Sequence, residues 1–107
     1  MKRYGMAIRL KPEMEKAYKE LHANAWPEVK AMITECNITN YSIFLGGGYL
    51  FGYWEYIGTD YEADMKKMAQ DPKTREWWSF TDPCQEPAEF AKPGEWWAEM
   101  EEVFHLD

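Results

Sequence analysis

Tyr4, Met6, Ile8 and Leu10 fall on alternate positions, with Gly5, Ala7 and Arg9 between them. A two-residue spacing puts the first set on one face of an extended strand. From Met14 the spacing changes. Met14, Ala17, Tyr18, Leu21, Ala25, Val29, Met32 and Ile33 recur three or four residues apart, which is the repeat of a helix with a single apolar stripe. This early switch from strand period to helix period constrains the fold most, because it calls for a sheet with helices packed on its buried face. The pattern predicts a strand over Arg3 to Leu10 and one amphipathic helix from about residue 12 to 36. Pro12 suits that helix's first turn, and Pro27 is expected to kink it near Trp26.

Ile38 to Leu45 reads as a second strand, with Tyr41, Ile43 and Leu45 on one face and Asn40, Ser42 and Phe44 on the other. Gly46-Gly47-Gly48 turns the chain into a third strand, Tyr49 to Ile57. The triple glycine lacks the GK[ST] of a phosphate loop and joins two strands, so it is read as a hairpin turn. Thr59 and Glu62 have capping-box spacing, ahead of a helix through Met65, Met68 and Ala69. Asp71-Pro72 ends it and starts a short helix through Trp77, Trp78 and Phe80. Residues 81 to 95 hold Pro83, Pro87, Pro93 and Gly94 and read as loop, and Met100 to Leu106 alternates as a fourth strand. The order β-α-β-β-α-β is the ferredoxin-like plan of an α+β domain. Both helices on one face leave the other sheet face bare, so pairing of two copies into a dimeric α+β barrel is expected.

The 107 residues suit one domain, 1–107. A formal charge of −7 disfavours nucleic acid or an anionic membrane as a partner. The start MKRYGMAIRL reads as neither a signal peptide nor a membrane span. Cys36 and Cys84 show no CxxC spacing and read as reduced thiols in the cytoplasm. His22 and His105 lack metal-ligand spacing, so no metal and no cofactor are expected. The six Trp, seven Tyr and five Phe exceed what so small a core needs. Aromatic rings serve cores and interfaces, and they also stack on the C–H faces of sugars.

Tyr18 and His22 are one helical turn apart, and Trp26 is one turn further. On a continuous helix they form one ridge carrying a hydroxyl, an imidazole and an indole. Histidine moves protons near neutral pH. On spacing alone, a rim histidine bonded to a backbone carbonyl is the plainer reading. Trp77 and Trp78 point about 100° apart on a helix, so one can enter the core while the other faces a pocket. Trp96-Trp97 either caps a barrel mouth or anchors its loop. Among the carboxylates, Glu28, Glu55, Asp82, Glu101 and Glu102 are possible second proton carriers, and Glu55 stands out as one that is buried and paired on its strand.

The block Tyr18-Lys-Glu-Leu-His22-Ala-Asn-Ala-Trp26-Pro27-Glu28, then Asn40-Tyr41-Ser-Ile-Phe-Leu45, then Trp77-Trp78, then Glu101-Glu102-Val-Phe-His-Leu106, resembles the L-rhamnose mutarotase family across essentially the whole chain. The resemblance implies a homodimeric ferredoxin-like fold that interconverts α and β anomers of L-rhamnose, a small neutral monosaccharide. It implies His22 as proton donor and Tyr18, Tyr41, Trp77 and Trp78 as sugar-contacting residues. Two departures are the compact Gly46–Gly48 turn and a stretch from 83 to 97 rich in proline and tryptophan, which leave L-fucose or another 6-deoxyhexose open as the sugar. Two other readings suit the residues: a cofactor-independent monooxygenase on the same dimeric barrel, and a non-catalytic sugar-binding module.

Overall fold

The computed structural model describes residues 1–107. The chain forms β1 (Lys2–Leu10), α1 (Glu15–Ala23), α2 (Pro27–Glu35), β2 (Ile38–Gly46), β3 (Tyr49–Tyr56), α3 (Tyr61–Gln70), α4 (Pro72–Thr81), β4 (Gln85–Glu86) and β5 (Ala98–Met100). The strands make one antiparallel sheet in the order β2-β3-β1-β4, with β5 also on β1. This is the expected ferredoxin-like order, with each crossover helix replaced by a pair of shorter ones.

The single helix expected over residues 12 to 36 is two helices after a 3-10 turn at Pro12–Met14. A residue ahead of proline is pushed out of the helical region. Trp26 is accordingly extended, at φ −68° and ψ 134°, and Pro27 opens α2 instead of kinking α1. The Thr59 capping box does not form. Asp60 caps α3 instead, its carboxylate accepting the Ala63 N–H at 3.1 Å. Asp71 ends α3 and caps α4, accepting from both the backbone N–H and the hydroxyl of Thr74.

The fourth strand position is shared. Gln85–Glu86 pairs with Leu10 and Arg9, and Ala98–Met100 pairs with Ala7 to Gly5. Residues 87–97 leave the sheet between them. The strand expected over Met100 to Leu106 is therefore only Ala98–Met100. The ladder ends at the Gly5–Met100 pair, and beyond it the tail meets β1 through side chains, with Glu102 paired to Arg3 at 3.0 Å.

Tyr4, Met6, Ile8 and Leu10 point toward the helices as their alternation required. Ile8, Leu10, Tyr18, Leu50 and Cys84 form one core cluster, and Tyr4, Met6, Cys36, Ile38, Tyr56 and Met68 the other. Gly52 leaves room for Met6 and for Trp97, which folds back over it from the excursion: an added Cβ would meet Met6 Cγ at 3.1 Å. The opposite sheet face carries exposed Phe44, Phe51 and Met100, and the tail adds exposed Val103, Phe104 and Leu106.

Candidate active site

A cavity of about 1270 Å³ opens between the sheet and the helices. Tyr18, His22, Tyr41, Trp77 and Trp78 all line it, so the fold brings together residues from three separate elements.

α1 contributes Tyr18 and His22. Tyr18 is buried because its ring belongs to the Ile8–Leu50 cluster. His22 is half-buried, stacked on Tyr18 with centroids 4.2 Å apart and touched edge-on by Trp77 at 5.2 Å. Its Nδ1 lies 3.0 Å from the Tyr18 carbonyl oxygen. A carbonyl only accepts, so Nδ1 carries the proton and Nε2 is left with its lone pair. Burial lowers the His22 pKa, against the smaller opposing effect of that backbone bond, so the resting ring is neutral. His22 is thus a rim histidine bonded to a backbone carbonyl that keeps its second ring nitrogen free.

Tyr41 enters the cavity because of a β-bulge. Ile38 pairs with Tyr56 and Ser42 with Tyr53, so β2 spends one more residue than β3 across this stretch. Asn40 takes φ 48°, in the left-handed region that asparagine tolerates. Simple alternation puts Ile38 and Tyr41 on opposite faces; the bulge puts them on the same one. Tyr41 is 38% exposed, yet desolvation among the protein atoms packed around it raises its hydroxyl above the ordinary phenol value. The same bulge turns Asn40 outward, where its amide donates to Glu55 Oε1 at 2.7 Å while the Tyr53 hydroxyl donates to Oε2 at 2.7 Å. Glu55 is paired, as its pattern suggested, but it is not buried. It sits half-exposed on the outer sheet face, because the side of β3 it shares with Phe51 and Tyr53 points away from the helices, and it does not line the cavity. These bonds lower its pKa.

α4 supplies the two tryptophans. Trp77 is 7% exposed, and Trp78 is partly buried against the Tyr4–Met68 cluster. Trp26 does not join them in the cavity. With α1 ended at Ala23, the expected Tyr18–His22–Trp26 ridge is broken. Trp26 instead packs edge-on behind Trp77, at 5.3 Å, and against Phe80, at 5.8 Å.

Several lining residues carry no local sequence signal. Tyr61 is held close to Tyr4 by stacking at 4.3 Å, and its hydroxyl is pushed up to about 12 by burial. The Trp54 indole N–H is buried without an aligned acceptor, in the wall beside Tyr41. Gln85 is 4% exposed, and Trp96 joins it across the excursion. Of the carboxylates on the cavity wall, Asp82 is exposed at the rim, where partial desolvation raises its pKa, whereas Glu95 is lowered by accepting the backbone N–H groups of Lys92 and Glu99. No three His, Cys, Asp or Glu side chains converge as a metal-ligand set.

A neutral imidazole, phenol donors of high pKa and aromatic walls can bind a polyhydroxylated ring and move protons between its oxygens. Comparison with known proteins points to the same chemistry. The protein-family model for L-rhamnose mutarotase matches residues 3–106. An L-rhamnose mutarotase of Lactiplantibacillus plantarum is 33% identical over 109 residues, with all of both chains covered. One from Oceanobacillus iheyensis is also 33% identical over the full length of both chains. Among solved structures, an L-rhamnose mutarotase from Formosa agariphila superposes with a TM-score of 0.78 at 24% identity, covering all of both chains. Tetracenomycin F2 cyclase from Streptomyces glaucescens superposes at 0.71 with 13% identity, over 100% of this chain and 98% of the other. At those identities the two structures speak for the fold alone.

Proposed function

This chain belongs to the L-rhamnose mutarotase family, and from that premise we propose that it is an isomerase interconverting the α and β anomers of L-rhamnose or a close 6-deoxyhexose. The observation that carries the reading is the free Nε2 of a neutral His22 in an aromatic cavity with Tyr18. Opening the ring breaks C1–O5 and makes C1=O1, so one proton must leave O1 and one must reach O5. His22 Nε2 takes the O1 proton as the ring bond breaks. The imidazolium so formed gives that proton to O5, which makes His22 the donor at the ring oxygen. Rotation about C1–C2 and the reverse steps close the other anomer. General acid–base catalysis of this kind contributes about 10²–10⁴-fold.

Tyr41 is assigned to a sugar hydroxyl, and Trp77 and Trp78 to the wall that excludes water and meets the 6-methyl group. One methyl discriminates only weakly, by about 1–3 kcal/mol. Asp82 is the proposed second proton carrier, for the anomer whose O1 lies away from Nε2. The bare sheet face with Phe44, Phe51 and Met100 supports a homodimer in which a second copy covers it. Cys36 and Cys84 are both buried free thiols, in keeping with a cytoplasmic setting.

The test is anomer-exchange NMR at equilibrium over L-rhamnose, L-fucose, L-mannose and D-glucose. The wild-type protein accelerates exchange most for one of the 6-deoxy sugars. Exchange of the preferred sugar by His22→Ala at the wild-type rate would remove His22 from the mechanism.

A further inference from the structure

Trp96 leaves the excursion between β4 and β5 and donates its indole N–H to Gln85 Oε1 at 3.1 Å. Gln85 opens β4, opposite Leu10, and is 4% exposed. Its Nε2 donates to the Tyr18 hydroxyl oxygen at 3.3 Å. An amide can ordinarily be turned end for end without changing its shape. Here it cannot, because an indole N–H only donates. It fixes the amide oxygen toward Trp96 and the amide NH₂ toward Tyr18. The Tyr18 oxygen is therefore an acceptor within the protein, and its own proton has no protein acceptor.

We infer that Trp96 and Gln85 are positioning residues that hold the Tyr18 hydroxyl as a hydrogen-bond donor to the sugar ring oxygen. The inference rests on the mutarotase reading and deepens it by giving Tyr18 a direction. Burial pushes the Tyr18 phenol up to about 12, so it keeps this proton throughout the neutral range. Tyr18 and His22 then divide the work across one stacked pair of rings. Nε2 receives the proton leaving O1, and the phenol steadies O5 as charge develops there. A donor aimed at a developing charge acts more on the transition state than on the bound ground state, so the relay is read in kcat more than in KM.

Two substitutions separate this role from simple packing. Gln85→Glu keeps the shape of the side chain but makes its polarity depend on pH. A protonated carboxyl donates to Tyr18 as the amide does. An ionised one accepts the phenol proton and turns it away from the sugar. The exchange rate relative to wild type at the same pH is expected near unity in acid. It then falls about tenfold or more as pH rises through the introduced carboxyl's titration. Trp96→Phe, at a partly exposed position, frees the amide to turn. It should lower kcat roughly three- to tenfold with little change in KM. Both effects should vanish in a Tyr18→Phe background, because the group being positioned is gone. A Gln85→Glu ratio that stays flat with pH, or the same pH dependence in Tyr18→Phe, overturns the relay. Failure of the wild-type protein to accelerate exchange of any sugar overturns the mutarotase reading instead, and the relay with it.

Discussion

Trp77 and Trp78 are neighbours on α4, but their burial predicts opposite consequences for truncation. Trp77 is 7% exposed and held edge-on by His22 and Trp26. A buried indole side chain removes about 150–250 Å² from water. At about 25 cal/mol per Å² that is worth roughly 4–6 kcal/mol, an upper figure because the unfolded chain is already partly compact. Measured Trp→Ala losses of about 3–5 kcal/mol agree. Trp77→Ala is therefore expected to cost about 4 kcal/mol, a large part of the roughly 5–15 kcal/mol of a domain this size. At about 4–8 °C per kcal/mol, the melting temperature falls by roughly 15–30 °C. Trp78 is only partly buried and faces the cavity. Trp78→Ala should cost about 1–2 kcal/mol of stability and weaken sugar binding about tenfold, the loss of one good aromatic wall. Urea unfolding gives the first quantity and titration calorimetry with L-rhamnose, at a temperature where all three proteins are folded, gives the second. Equal destabilisation by the two variants, with Trp78→Ala binding sugar as wild type does, would refute the division of labour.

Because burial lowers the His22 pKa below the ordinary 6.5, the exchange rate should stay level through neutrality and fall only at lower pH, where Nε2 becomes protonated; a rate that falls as pH rises through neutrality refutes the neutral resting ring. The same shift links stability to pH. The unfolded chain binds this proton first, so the His22 contribution is complete above 6.5 and is lost as pH drops through 6.5 toward the folded value. His22→Gln should flatten that part of a urea-midpoint profile. Asp82→Asn should slow exchange about ten- to hundredfold with little change in sugar affinity, and an unchanged NMR exchange rate rules out proton transfer by Asp82. If two copies pair through the bare sheet face as proposed, charging it with Phe44→Asp and Phe51→Asp should halve the mass seen by light scattering, and an unchanged mass refutes that pairing.

The sequence by itself determined the order of the elements and the inward face of β1, because two-residue and three-to-four-residue periods each admit one regular structure. Through the Tyr18–Trp26 block and its family resemblance it also singled out Tyr18, His22, Tyr41, Trp77 and Trp78, which the structure places along one cavity among other residues. Local geometry was less legible. Pro27 was visible, but whether it kinks a helix or starts a new one depends on Trp26 being forced into the extended region. The bulge at Asn40 leaves no periodic trace, yet it sends Tyr41 inward. Which nitrogen of His22 is free is set within α1, where the ring turns Nδ1 onto the Tyr18 carbonyl one turn back. Only the tertiary structure brought Gln85 and Trp96 to Tyr18. A hydrogen bond linking positions 67 residues apart leaves no mark in local spacing, because it is chain folding that makes those residues neighbours.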